Sequence, residues 1–114
     1  MTKPRDGYCV VMTTCASSEE AARLATALLD ARLAACVQVV PVTSYYTWQG
    51  ERTTDSEQLL LIKTRRSLYV GVEAALLRLH AYETPEIVCV PITAGAPAYL
   101  AWIDDATAGA AQDG

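Results

Sequence analysis

Four cysteines and a single histidine are the side chains best suited to metal binding or nucleophilic chemistry in this chain. Cys9, Cys15, Cys36 and Cys89 form no CxxC pair and lack the spacing of zinc sites. The residues at 9, 36 and 89 stand among apolar neighbours, which is typical of buried, reduced thiols. Cys15 directly precedes a predicted helix, so we expect it to be the most exposed and most reactive thiol.

His80 and Lys63 each admit two interpretations. One imidazole per chain cannot build a multi-histidine site, so His80 is either a hydrogen-bonded structural residue or a cleft residue facing a ligand. In the second case His80 is the candidate metal ligand. Lys63 ends an apolar strand and either forms a structural ion pair, with Glu86 as the favoured partner, or binds an anion in an intersubunit cleft.

The aromatic residues are six tyrosines and two tryptophans, and each of these rings carries a polar atom. Tyr46 and Trp48 are two residues apart and therefore share one face of a strand. Tyr99 and Trp102 are three apart on a predicted helix and point the same way. One interpretation is packing at a subunit interface. The other is a ligand cleft, lined by Trp48, Lys63, His80, Tyr82 and Glu86.

The sequence contains no GxGxxG, P-loop, GxSxG or metalloprotease motif. No general base is visibly coupled to a nucleophile. These observations predict that the protein is not an enzyme.

Strands alternate with helices along the chain. The patterns predict strands at 8–14, 35–48, 52–64 and 86–92, and helices at 18–34, 67–80 and 98–105. Ser17 and Glu20 form a capping box, Ser67 can cap the second helix, and Pro97 suits the start of the third. This order predicts an α+β, ferredoxin-like split βαβ sandwich with a long hairpin between the second and third strands and a short C-terminal helix.

The predicted sheet leaves one face open. Two helices cover the first face, so the third must lie at an end of the sheet or dock elsewhere. The apolar run at 59–62 predicts a central strand that is buried on both faces. Because an uncovered apolar sheet face would aggregate, we expect a homo-oligomer.

Length and composition limit the classes of function that are possible. The 114 residues predict one domain, with flexible tails at 1–6 and 107–114. The net charge of −4 argues against nucleic-acid binding. No apolar run is long enough for a membrane span or a signal peptide, so we expect a cytoplasmic protein.

Five motifs together resemble the CutA family of divalent-cation-tolerance proteins. They are Ala-Arg-Leu-Ala-Ala-Cys-Val-Gln-Val at 31–39, Ser-Tyr-Tyr-Thr-Trp-Gln-Gly at 44–50, Glu57 with Ile-Lys-Thr at 62–64, His-Ala-Tyr-Glu-Thr-Pro-Glu-Ile at 80–87, and Tyr-Leu-Ala-Trp-Ile at 99–103. The resemblance covers roughly residues 7–106. It implies a cytoplasmic ferredoxin-like homotrimer, similar in assembly to the PII signalling proteins and associated with tolerance of metals, chiefly copper. It implies no catalysed reaction.

The same resemblance bears on the metal site. The copper ligands proposed for the family are a cysteine at the end of the first strand and two adjacent histidines. Here those positions hold Thr13, Leu79 and His80, so only the histidine is retained. We therefore expect weak or indirect binding of copper or another divalent cation. The alternative is a PII-like regulator that binds a small anionic ligand at intersubunit clefts. The candidate ligand-binding residues are Cys36, Tyr46, Trp48, Lys63, His80, Tyr82, Glu86 and Trp102.

Overall fold

The computed structural model describes residues 7–110. Its strands are β1 (Tyr8–Cys15), β2 (Cys36–Trp48), β3 (Glu51–Arg65) and β4 (Val88–Ile92). Its helices are α1 (Ser18–Asp30), α2 (Tyr69–Leu79) and α3 (Pro97–Ala106), and a 3₁₀ turn (Arg66–Leu68) precedes α2. The predicted α+β element order is therefore confirmed.

The four strands form one antiparallel sheet in the order β2-β3-β1-β4. β3 lies between β1 and β2, so the two strands that are joined by the α1 crossover are not neighbours. The central position predicted for the third strand is thus confirmed. β2 and β4 form the edges, as Pro41 and Pro91 indicated, because proline has no N–H to donate to a second partner strand.

A long hairpin arm projects from this sheet. Gln49 and Gly50 form its two-residue turn, and both have a positive φ (51° and 83°), as a type I′ turn requires. Pairing of β1 with β3 ends at Gln58, so the chain from 42 to 57 is paired only within the hairpin. We call this segment the arm. It contributes to a longest dimension of 55 Å, against 25 and 21 Å across the molecule.

The hydrophobic core lies between the sheet and the helices α1 and α2. Leu60 and Ile62 of β3 are fully buried there, whereas Leu59 and Leu61, which alternate with them, are only partly buried on the other face. Burial of this strand on both faces was therefore predicted wrongly for the single chain. The helices cover only one face, and strand residues alternate between the two.

Helix α3 packs at one end of the second face. Its Ile103 is fully buried beside Tyr8 and Ala35, and the Tyr8 hydroxyl donates to Asp104 at 2.7 Å. Apart from Gln38 and Lys63, most of the rest of that face is apolar and at least partly exposed. Its apolar residues, which we call the open face, are Val10, Met12, Val40, Leu59, Leu61, Val88 and Val90.

Helix α1 ends four residues earlier than predicted. Arg32 has a φ of 58°, and the N–H groups of Arg32 and Leu33 donate to the carbonyls of Leu29 and Leu28 at 3.0 and 2.9 Å. This pair of bonds is a Schellman cap. Glycine or asparagine is usual at the left-handed position. Because arginine stands there instead, the sequence pattern did not indicate that the helix ends at this point.

Two further boundaries differ from expectation. Ser67 lies in the 3₁₀ turn, and no side chain caps α2. Thr107 and Ala110 are buried, and Arg65 donates to the hydroxyl and carbonyl oxygens of Thr107 at 2.9 Å each, so the packed chain continues beyond α3. The tail predicted at 107–114 is therefore wrong for its first four residues, whereas residues 111–114 and the tail predicted at 1–6 lie outside the described residues. No helix within 7–110 is long and apolar enough to cross a membrane.

Candidate functional site

A groove of about 550 Å³ lies between the arm and the segment from 80 to 87. It combines aromatic rings, carboxylates and small hydroxyl side chains. Its lining residues are Thr14, Ser44, Tyr45, Tyr46, Trp48, Asp55, Glu57, Tyr82, Glu83, Thr84 and Glu86.

The hairpin register brings the arm's residues to this groove. Ser44, Tyr46 and Trp48 alternate along β2 and therefore share one face. Ser44 pairs directly with Asp55 of β3. The Tyr46 hydroxyl donates to the Asp55 carboxylate on the diagonal of this pairing, and the contact raises the pKa of Tyr46.

The segment from 80 to 87 closes the groove through Tyr82. Its hydroxyl donates to Glu57 Oε2 at 2.6 Å, and Glu57 is only 7% exposed. Burial, followed by the Glu57 carboxylate, raises the pKa of Tyr82 well above its usual value. The hydroxyl therefore stays protonated and keeps its role as donor throughout the neutral pH range.

His80 lies behind this groove wall with its side chain fully buried. Its Nε2 is 2.8 Å from the Thr14 carbonyl oxygen, and its Nδ1 accepts the Tyr82 N–H at 3.1 Å. An acceptor Nδ1 places the ring proton on Nε2, which donates to Thr14. Both nitrogens are thus occupied, and a metal ion can reach either of them only by replacing a hydrogen bond.

Glu20 fixes the start of the same segment. Its carboxylate accepts the Ala81 N–H at 3.0 Å and lies 3.6 Å from both Arg23 and His80 Nδ1. Ser17 caps α1 through the Glu20 N–H at 3.1 Å, as predicted. The other half of the expected capping box is absent, because the Glu20 side chain joins α1 to the end of α2 instead of folding back.

The structure divides the predicted ligand-binding residues into two groups. Tyr46, Trp48, Tyr82 and Glu86 line the groove, with His80 directly behind it. The remaining three, Cys36, Lys63 and Trp102, are outside it. Cys36 and Tyr46 are ten positions apart on β2 and therefore roughly 33 Å from each other, so one small ligand cannot contact both within a chain.

Lys63 has a different partner from the one predicted. Its ammonium donates to the Gln38 side chain, whereas Glu86 lines the groove. Cys36 pairs with Lys63 across the strands, and Trp102 packs on Tyr99 with ring centroids 5.6 Å apart. Within one chain Lys63 and Glu86 therefore form no ion pair and share no cleft, and a cleft between subunits that contains both stays a prediction.

The exposure predicted for the thiols is also corrected. Cys15 is fully buried, its thiol donates to the Ser17 carbonyl at 3.6 Å, and burial raises its pKa. Cys9 is fully buried as expected, and burial followed by a contact with Cys89 raises its pKa to about 12. Cys36 and Cys89 are the partly exposed thiols.

Metal-ligating side chains do not converge within residues 7–110. No group of three or more His, Cys, Asp or Glu residues there can hold a metal ion. Thr13, at the position of the family's proposed cysteine ligand, is fully buried, and its hydroxyl has no hydrogen-bond partner in the described part of the chain.

Sequence reasoning missed several groove residues. Asp55 was not singled out, and the candidate ligand-binding residues did not include Glu57, Glu83 or Thr84. A signal existed for Asp55, because a two-residue turn at 49–50 places residue 55 opposite residue 44. Nothing local predicts that the segment from 80 to 87 folds against the arm.

Comparisons with known proteins agree on one family. The family model described as CutA1 divalent ion tolerance protein matches residues 9–106. The divalent-cation tolerance protein CutA of Thermus thermophilus is 46% identical over 99 residues, covering 86% of this chain and 96% of that protein. The chloroplastic protein CutA of Arabidopsis thaliana is 40% identical over 99 residues, again 86% of this chain. The chain spans about half of that plant relative, 54% of its length.

Solved structures give the same result. CutA1 from Oryza sativa superposes with a TM-score of 0.88 at 38% identity, covering 92% of this chain and 97% of that one. The periplasmic divalent cation tolerance protein CutA from Archaeoglobus fulgidus gives 0.86 at 35% identity, covering 88% and 98%. With a family model matched over most of its length, the chain belongs to the CutA1 family of divalent ion tolerance proteins.

Proposed function

We propose that this protein is a homotrimeric, cytoplasmic, non-catalytic divalent-cation tolerance protein that responds to metal ions, chiefly copper, and binds metal weakly or indirectly. The observation that carries the proposal is the state of His80, the only histidine. Both of its ring nitrogens are engaged, by the Thr14 carbonyl and by the Tyr82 N–H. A copper(II) site needs several nitrogen ligands in a plane, and one occupied imidazole does not provide them.

The thiols are the better copper ligands in this chain. Copper(I) prefers sulfur, and Cys36 and Cys89 are the two partly exposed cysteines. They lie on opposite faces of the sheet. Cys36 pairs with Lys63 on the same side as the open face, whereas Cys89 packs toward the core. Separate single-thiol sites are weak, which agrees with a protein that responds to copper without storing it.

The open face supports the trimer. Seven apolar residues are left at least partly exposed there, and the long edge of β2 has unpaired backbone groups. Association of three copies around an axis would cover both features without leaving a free surface for further growth. Light scattering is expected to return three times the chain mass of 12.3 kDa, and a stable monomer at micromolar concentration would contradict the assembly.

Calorimetry with copper(I) supplied by a weak chelator tests the metal proposal. We expect His80→Ala to change the affinity by less than about twofold, and Cys36→Ser to weaken binding by about tenfold, since sulfur is the preferred ligand. Circular dichroism checks that the His80→Ala variant is folded, since the His80 side chain is buried. If a folded His80→Ala protein loses copper(I) binding and Cys36→Ser retains it, the site would be reassigned to the histidine.

A second candidate is a PII-like regulator that binds a small anion at a subunit cleft. Lys63 favours it, because within residues 7–110 its ammonium contacts the neutral Gln38 and no carboxylate. The groove itself is acidic, so an anion would bind near Lys63 and not between the arm and Tyr82. Titration with citrate, compared between the wild type and Lys63→Met, tests this candidate. Equal citrate binding by both proteins would eliminate it.

A further inference from the structure

A short segment between α2 and β4 is anchored by hydrogen bonds. It runs from 81 to 86, belongs to no helix or strand and has mostly exposed side chains, and we call it the strap. Its Ala81 N–H donates to the Glu20 carboxylate at 3.0 Å. Its Tyr82 N–H donates to His80 Nδ1 at 3.1 Å. The start of the strap is therefore held by two buried polar groups.

The contact with His80 depends on a lone pair that a proton can occupy. In the neutral ring, Nδ1 accepts the Tyr82 N–H while Nε2 donates to the Thr14 carbonyl at 2.8 Å. In a protonated ring both nitrogens are donors. Protonation therefore preserves the Thr14 contact and removes the acceptor of the Tyr82 N–H. Histidine is the side chain that changes charge between about pH 5 and 8.

Glu20 lies where a protonated ring would need a partner. Its Oε2 is 3.6 Å from His80 Nδ1, and this oxygen already accepts the Ala81 N–H. The His80 side chain is fully buried and Glu20 is 9% exposed, and a buried charge is costly unless it is paired. The site thus offers two arrangements: a neutral ring that accepts from Tyr82, or a charged ring that donates to Glu20.

Titratable groups from three neighbouring elements surround the ring. They are Glu20 and Arg23 of α1, Cys15 of β1, and Glu57 of β3 with Tyr82 between it and the ring. Cys15 and Tyr82 stay neutral, because burial raises the pKa of both groups. Arg23 is 3.6 Å from Glu20, but its side chain is 51% exposed, so water screens its charge. The carboxylate of Glu20 is therefore the charge that a protonated ring meets directly.

We propose that His80 is a pH-dependent switch that controls the position of the strap. Uptake of one proton from water by Nδ1 exchanges the Tyr82 N–H for the Glu20 carboxylate and releases the start of the strap. Because the Tyr82 hydroxyl bonds to Glu57, this release also loosens the contact between the strap and the arm. The groups that exchange partners belong to one chain, so the switch requires no free surface.

Nuclear magnetic resonance of the metal-free protein in its native assembly tests the switch. His80 is the only histidine, so its ring signals need no assignment. On acidification from about pH 8 to 5, we expect the Tyr82 amide shift to change together with the ring signals. Exchange of the Tyr82 amide hydrogen, relative to its intrinsic rate, should rise about five- to tenfold, as expected for the loss of one hydrogen bond. The amide of Leu28, in the middle of a buried helix face, should not change.

Two variants and a control separate the switch from a general effect of acid. His80→Gln removes the titrating ring and should abolish the pH dependence of Tyr82 amide exchange. Glu20→Gln keeps an acceptor for the Ala81 N–H but removes the charge, and should move the transition to lower pH. Glu19→Gln, at an exposed position on the same helix, should leave the transition unchanged. Circular dichroism checks that each variant is folded.

Three results would overturn the proposal. The first is a Tyr82 amide that does not respond while the His80 ring becomes protonated, and the second is a ring that stays neutral to about pH 5. The third is an equal transition in Glu20→Gln and Glu19→Gln, which remains informative if His80→Gln does not fold. The copper(I) proposal rests on Cys36 and Cys89 and not on His80, so the two proposals fail separately.

Discussion

The hydroxyl of Tyr82 donates to Glu57 across 2.6 Å and joins the segment that follows α2 to the hairpin arm. The two residues are 25 positions apart, and this contact closes the acidic groove at its inner end. It also predicts a specific response to alkaline pH.

Tyr82→Phe should reduce the loss of stability above pH ~10, the ordinary pKa of tyrosine. The pKa of Tyr82 is raised in the folded protein by burial and then by Glu57, so its contribution to stability is complete below pH ~10. It is lost as the pH rises through the folded-state value. Urea unfolding at a series of pH values measures this slope, and the variant should also lose about 1–2 kcal/mol at neutral pH.

Tyr45→Phe is the matched control for the alkaline experiment. Its hydroxyl is on the same arm, the residue is 75% exposed, and it has no hydrogen-bond partner in the described residues. It should leave both the neutral stability and the alkaline slope unchanged. Identical slopes for Tyr82→Phe and wild type would show that the Glu57 contact contributes nothing to folding.

Glu20→Ala should destabilise the protein by about 1–3 kcal/mol, because the buried carboxylate is the acceptor for the Ala81 N–H. Glu20→Gln keeps an acceptor oxygen and should recover most of this loss. The measurement is the midpoint of urea unfolding. Glu19→Ala, at the exposed neighbouring position, is the control, and an equal effect there would mean that the helix terminus, and not the interhelix contact, is responsible.

Thiol reagents should modify Cys36 and Cys89 before the other two cysteines. Cys9 and Cys15 are fully buried, and burial raises the pKa of both thiols, so they have neither the access nor the thiolate fraction to react quickly. Mass spectrometry of briefly labelled native protein identifies the order. Early modification of Cys15 would contradict this order and would support the expectation, based on its position before α1, that Cys15 is the most reactive thiol.

Trp48→Ala should weaken the proposed trimer more than the fold of each subunit. The ring is 45% exposed on the arm, at a distance from the core helices, and loss of an interface tryptophan costs on the order of 2–4 kcal/mol. Sedimentation at decreasing concentration measures the assembly. Val70→Ala, at a 66% exposed position on α2, should leave assembly unchanged. If the Trp48→Ala protein keeps the assembly mass and the melting temperature of the wild type, the Trp48 ring is exposed to solvent and does not lie at an interface.

Local patterns in the sequence were sufficient for the elements and their order. The cap at Ser17, the proline that begins α3 and the central apolar run at 59–62 were each identified correctly, because these signals depend on neighbours a few residues away. The resemblance to the CutA family likewise came from five motifs that can be read along the chain, and the family model confirms it.

Tertiary structure alone decided which side chains meet. Glu20 has the spacing of a capping box, yet its carboxylate accepts a hydrogen bond from the Ala81 N–H beyond the end of α2. Cys15 precedes a helix, yet packing buries it. Lys63 and Glu86 have opposite charges, yet within one chain Lys63 contacts Gln38 and Glu86 lines the groove. Contacts between residues distant in sequence depend on how whole helices and strands pack, and local sequence patterns do not indicate that packing.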